Sequence, residues 1–326
     1  MGMMDKIKSH GWWRITQAVV SVVLLILLGR SIDWLDFFHV LTVARWEFVL
    51  LSSSLLLIRH LINIIRWQYL LQGKSLSYFK LLSWYGVGLF GNNFLPTGMG
   101  GDGVRAALAG RYISLPAAVV SVGADRLIGF LSLGAVFLFG VWLGLPSGLK
   151  IEKMSALLQI TNIPSSVIAA IVMAVSLGLI LLFKMRRLRL WVSKALDHLI
   201  GQKINLGWKR GQWPKLLSGA FGISMIAQAV HIAAYWGIMK ALNIDAPLSA
   251  SLWLVLVGSA VVLLPISING LGLQESAYVV VLKTYGVETT TAVGFALIAR
   301  ILMVMFSLAG GLFLLRLNLM RGRKKI

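Results

Sequence analysis

Long apolar runs recur along this chain, and its polar residues gather at their ends. Six runs read as helical spans, at about 14–29, 48–71, 116–145, 163–183, 216–242 and 289–315. A run of about 18 residues or more matches a hydrocarbon core about 30 Å thick. Two further regions are apolar but interrupted. One runs from Phe79 through Asn92, Asn93 and Pro96, then Gly98, Gly100 and Gly101, to Tyr112. The other runs from Leu248 through Pro265, Asn269, Gly270 and Gly272 to Tyr285. The pattern predicts an all-α polytopic membrane protein with about six full spans and two broken re-entrant helical hairpins. If each hairpin is instead a pair of short spans, the chain has eight to ten membrane segments.

Composition narrows the class. The chain has 326 residues, 58% of them hydrophobic and 13% charged, where a soluble domain has about 25% charged. The longest polar interval, Lys184 to Lys215, is too short for a sizeable soluble domain, so residues 1–326 read as one membrane domain. A net charge of +20 could suit nucleic acid. The basic residues instead sit at the ends of apolar runs, as the positive-inside rule expects, so no nucleic-acid partner is expected. With no cysteine there is no disulfide and no thiol-ligated metal. Lys6, Lys8 and Arg14 ahead of the first run resemble a secretion signal. No small-residue cleavage pattern follows at Gly29-Arg30-Ser31-Ile32-Asp33, so the run reads as a retained span.

Charge also sets topology. The N-terminus, the interval 184–215 (nine Lys/Arg against Asp197) and the C-terminus (Arg321, Arg323, Lys324, Lys325) are basic. All three are expected in the cytoplasm. The clear spans already separate them by even numbers, so each interrupted region adds zero crossings or two. With hairpins, the first enters from the cytoplasm and the second from the opposite face. The stretch 186–210, with Leu190, Trp191, Leu196, Leu199 and Trp208 among its cations, reads as an interfacial helix or as a solvated basic loop.

The interrupted regions also match each other. Pro96 and its glycines precede Asp102, with Arg126 24 residues beyond; Pro265 and its glycines precede Glu275, with Arg300 25 residues beyond. The units 79–145 and 248–315 thus read as an inverted internal repeat, a recurrent transporter design. Pro96, Gly100, Gly101, Pro265, Gly270 and Gly272 supply the structural breaks. Broken backbone at membrane depth must be satisfied by protein or water, and the helix ends it frees favour anions. Asn92, Asn93 and Asn269 can pair with that backbone or with a head group. Asp102 and Glu275 can cap the helices that follow, and they are also natural partners for Arg126 and Arg300. Arg59, Asn63 and Arg66 share one helical face that must meet protein or a cavity, although Arg66 could instead snorkel. Gln228, His231 and Tyr235 share another face, where a lone His is usually a core residue. Gly98-x-Gly100-x-x-Gly103 lacks a strand–helix context, and Gly73-Lys74-Ser75 lacks the earlier glycine of a phosphate loop. The five His are scattered. No catalytic residue, metal site or cofactor is expected.

Asn93-Phe94-Leu95-Pro96, Gly100-Gly101-Asp102-Gly103-Val104-Arg105, Ser121-Val122-Gly123-Ala124-Asp125-Arg126 and Pro265 through Glu275 resemble the lysylphosphatidylglycerol synthase transmembrane, flippase-like family over about 10–318. That family includes the flippase part of the multiple-peptide-resistance proteins, which move aminoacylated phosphatidylglycerol between leaflets. The family pattern usually has Glu where Asp125 stands, and often Gly at Asn269 and Arg at Gln274. The synthase domain is absent, so aminoacyl transfer from tRNA is not expected. The resemblance implies a lipid flippase of a bacterial inner membrane, with phospholipid as partner and room for a separate lipid-modifying enzyme. Its substrate-binding or gating candidates are Arg59, Asn92, Asn93, Asp102, Arg105, Asp125, Arg126, Asn269, Glu275 and Arg300. Arg126 and Arg300 would neutralise a head-group phosphate, with Asp102 and Glu275 tuning them; alternatively the same charges form a structural ion-pair lattice. A membrane-embedded transferase acting on lipid-linked sugars and a non-transporting scaffold subunit are the rival readings.

Overall fold

The computed structural model describes residues 3–30, 34–71, 76–93, 100–143, 213–264 and 266–322. All regular structure among them is helical. The helices are α1 (Met3–Arg30), α2 (Trp34–Thr42), α3 (Trp46–Leu70), α4 (Tyr78–Asn92), α5 (Gly100–Ala109), α6 (Leu115–Leu143), α7 (Trp213–Ala241), α8 (Leu248–Leu263), α9 (Leu273–Thr284) and α10 (Thr289–Gly322). α3, α6, α7 and α10 are long and apolar enough to cross a membrane. The first apolar run lies inside α1. The expected span 163–183, the basic interval up to residue 212, Pro96 and Pro265 lie outside the described residues. Helix α2, amphipathic and only nine residues long, was not foreseen from the pattern.

Local chemistry sets the helix ends. Ser114 Oγ accepts the Ala117 amide at 3.4 Å, and Pro116 sits in the first turn of α6, where a missing N–H costs nothing. α8 stops at Leu264, which is extended (φ −74°, ψ 124°), the conformation a following proline imposes. α4, α5, α8 and α9 have 15, 10, 16 and 12 residues. At 1.5 Å per residue they reach about 15–24 Å, short of a hydrocarbon core about 30 Å thick.

The described chain forms two compact units. The first holds Met1–Ser54, Ser83–Arg105 and Ala233–Ile326. Here α9 packs between α8 and α10, and α1 packs on α9 and on the 3-10 turn Ile268–Gly270. Tyr235, Tyr278 and Phe295 form an edge-on aromatic triad with centroids 5.6–5.7 Å apart. The second unit holds Leu55–Leu82 and Ala106–Ile232. Its apolar core joins Leu70 of α3, Ile128 of α6 and Leu216 and Ala220 of α7. Large apolar side chains cover the outside. Ile301 and Leu312 of α10 are 63% and 67% exposed, yet Arg300, next to Ile301, is nearly buried. Apolar outside and charged inside is the polarity of a protein solvated by lipid.

Candidate functional site

The break between α8 and α9 is the best-defined feature of the first unit. Asn269 is left-handed (φ 49°, ψ 35°), and Gly270 and Gly272 have φ of 73° and 79°. Such a path turns carbonyls and amides away from any helical partner, and at membrane depth each needs another. Arg300, on α10, meets the carbonyls. Its two terminal nitrogens donate to Asn269 O at 3.2 Å and Gly270 O at 3.1 Å. Its Nε donates to Glu275 Oε1 in a short ion pair. Glu275 Oε2 accepts the Gly272 amide at 2.7 Å, closing the first turn of α9. Glu275 therefore caps its helix and holds Arg300 at once, and every guanidinium nitrogen donates within the protein, one of them also to Met303 Sδ at 3.7 Å.

The other break lies close by. Asn269 Nδ2 donates to Asn93 Oδ1 at 3.3 Å, and Asn93 Nδ2 donates to Ser307 Oγ at 2.5 Å. Ser307 in turn donates to Leu89 O at 3.0 Å, at the end of α4. Ser307 lies two turns beyond Arg300, so one face of α10 holds both breaks. The next turn of that face is Gly310 and Gly311. A Cβ at Gly310 would collide with the Gly86 carbonyl, and one at Gly311 would meet the Phe90 ring. Small residues let membrane helices approach this closely. α5 is held against α4 in the same manner: Asn92 Oδ1 accepts the Gly101 amide at 2.7 Å, and a Cβ on Gly101 would fall on the Gly88 carbonyl oxygen. Asp102 pairs with Arg105 one turn on, at 3.2 Å; Arg105 is buried and lies over the Tyr85 ring.

In the second unit Arg66 does not snorkel. It is buried among α3, α6 and α7, with Nε on Asp125 Oδ1 at 2.7 Å and NH1 on Ser224 Oγ at 2.7 Å. Ser224 donates to Ser132 Oγ at 2.8 Å, and Gln228 Nε2 donates to the same oxygen at 3.2 Å. Desolvating a pair of charges is costly unless each is paired and hydrogen-bonded, as here. Asn63, Gln228, His231 and Tyr235 are buried as their helical faces implied, whereas Arg59 and Arg126 keep partial exposure. The Arg66–Asp125 pair was missed in the sequence because its members are 59 residues apart. The only signal was a charge on a face that cannot meet lipid.

Apolar spans that enclose charged pairs, with two broken segments joined between them, define a polytopic membrane protein. The chain belongs to the family described as lysylphosphatidylglycerol synthase TM region, whose family model matches residues 14–311. It is therefore a membrane protein linked to lipid handling. No curated protein matches it.

Proposed function

We propose that the protein is a flippase, moving an anionic phospholipid or related lipid between the leaflets of a bacterial inner membrane. The carrying observation is the Asn93–Asn269 hydrogen bond, which brings the two broken segments together beside α10. α4–α5 and α8–α9 act as re-entrant hairpins of opposite orientation, an arrangement supported by their short arms and by the charge parity of the termini. Asn92, Asn93 and Asn269 offer the polar lining a head group needs. Arg300 and Glu275 act as positioning residues, since each guanidinium nitrogen and both carboxylate oxygens already bond within or beside the break. Asp102, Asp125 and Glu275 are each ion-paired. A transferase would need a carboxylate free to take a proton, so these pairs favour lipid movement over sugar transfer.

The test is leaflet exchange in liposomes holding the purified protein, with fluorescent lipids of several head groups. Exchange well above protein-free vesicles for an anionic or aminoacylated lipid, lost on Asn93→Ala, is expected. Exchange at the protein-free rate for every head group would contradict the proposal.

A further inference from the structure

Helix α2 is too short to cross a bilayer and has three unlike sides. Its nine residues reach about 13.5 Å, less than half of a hydrocarbon core about 30 Å thick. Phe37, Val40 and Leu41 make the inner side: Phe37 is buried, and Val40 meets α10 at Gly294. At about 100° per residue, Trp34, Leu35 and Phe38 fall together on a second side. They are 54%, 83% and 61% exposed. Thr42 shares that side, and its hydroxyl donates to His39 O at 2.8 Å. Asp36 and His39 make the third side, also exposed. Val43 and Trp46, just beyond the helix, extend the exposed apolar surface, and the charge of Arg45 between them is matched by Glu47 at 2.9 Å.

The neighbours of α2 set its depth. The Arg45 amide donates at 2.8 Å to the carbonyl of Ala241, the last residue of α7. Gly294 is the sixth residue of α10, so Val40 packs about 7–8 Å inside the end of that span. A helix lying in a membrane interface sinks its apolar face about 5–10 Å into the boundary between head groups and acyl chains. Standing upright in hydrocarbon, α2 would instead present Asp36 and His39 to lipid, which is costly. We propose that α2 lies along the membrane surface as an interfacial helix. Its partner is the leaflet at the Ala241 end of α7. Trp34, Leu35 and Phe38 insert among the upper acyl chains, and Asp36 and His39 face head groups and water. Tryptophan at positions 34 and 46 suits this level, where amphipathic rings gather. The helix carries no lysine or arginine, so it holds the leaflet by apolar area and not by charge. A second copy of the chain, or another membrane protein, is the rival occupant of the same edge.

The chain has no cysteine, so a single introduced one carries a spin label to a known place. Leu35→Cys, Asp36→Cys, Phe38→Cys and His39→Cys are labelled in proteoliposomes, with Ile301→Cys, exposed on the spanning helix α10, as the deep reference. Collision of each label with oxygen, which concentrates in hydrocarbon, is measured against collision with a water-soluble nickel chelate. The oxygen-to-nickel ratio should be several-fold higher at positions 35 and 38 than at 36 and 39, and lower than at 301. Equal ratios at all four α2 positions, or ratios at 35 and 38 as high as at 301, overturn the proposal. So does a label at 35 and 38 that neither reagent reaches, the result expected if a second copy or another protein covers the edge. If Phe38→Cys does not fold, the Leu35 and Asp36 positions decide, since they are adjacent in sequence but lie on different sides. No lipid exchange enters this readout, so it stands or falls apart from the flippase reading.

Discussion

Asn269 shows how much a single residue carries in the second break. Its backbone is left-handed, its carbonyl receives Arg300, and its side chain reaches Asn93. Glycine adopts that conformation freely, whereas a β-branched residue resists it. Asn269→Gly should therefore fold and keep the Arg300 contact while losing the link to Asn93. Asn269→Val should cost about 1–2 kcal/mol in backbone strain alone. Thermal melts of the two variants in detergent test this, and equal melting temperatures would refute it. Glu275 is more demanding. Removing it leaves a buried guanidinium and the Gly272 amide unmatched, and breaking a buried pair costs about 3–5 kcal/mol. Glu275→Ala should lower the melting temperature sharply. Glu275→Gln, which keeps an acceptor for Gly272, should lower it less. The reverse order would show that the carboxylate does not cap the helix.

At the scale of elements, backbone contact sets the hairpins. Gly101 meets Gly88, and Gly310 meets Gly86, too closely for any side chain. Gly101→Ala must push α5 off α4, breaking the Asn92 bond to the Gly101 amide. It should lose lipid exchange even where the protein still purifies as a single species, whereas Gly103→Ala, with open space around it, should keep exchange. These elements were partly legible in the sequence. The four long spans follow from length and apolarity, and the Glu275–Arg300 pair from its spacing behind a glycine cluster. The Arg66–Asp125 pair was not legible, since which helices adjoin is decided by packing. Helix α2 escaped because nine residues give too little periodicity. The double duty of Arg300, pairing with an acid while tying down two carbonyls, could be seen only once the left-handed backbone was in view.

At the scale of the molecule, each unit buries a charged pair and leaves large apolar side chains exposed. Buried charges without lipid-facing cost require water, partners or both, and each unit supplies partners of its own: Glu275 for Arg300, Asp125 for Arg66. The topology proposed from charge puts the α7–α8 connection outside the cell and the α5–α6 connection inside. In whole cells an impermeant thiol reagent should label Asp245→Cys and leave Tyr112→Cys untouched; labelling of both from outside would overturn the inverted arrangement. The central claim is lipid movement, and one measurement reaches it most directly: leaflet exchange of a fluorescent anionic phospholipid in liposomes containing the purified protein. Exchange well above protein-free vesicles in the wild type, and near that background in Asn93→Ala and Gly101→Ala, is the predicted result. Wild-type exchange indistinguishable from protein-free vesicles for every head group would contradict it.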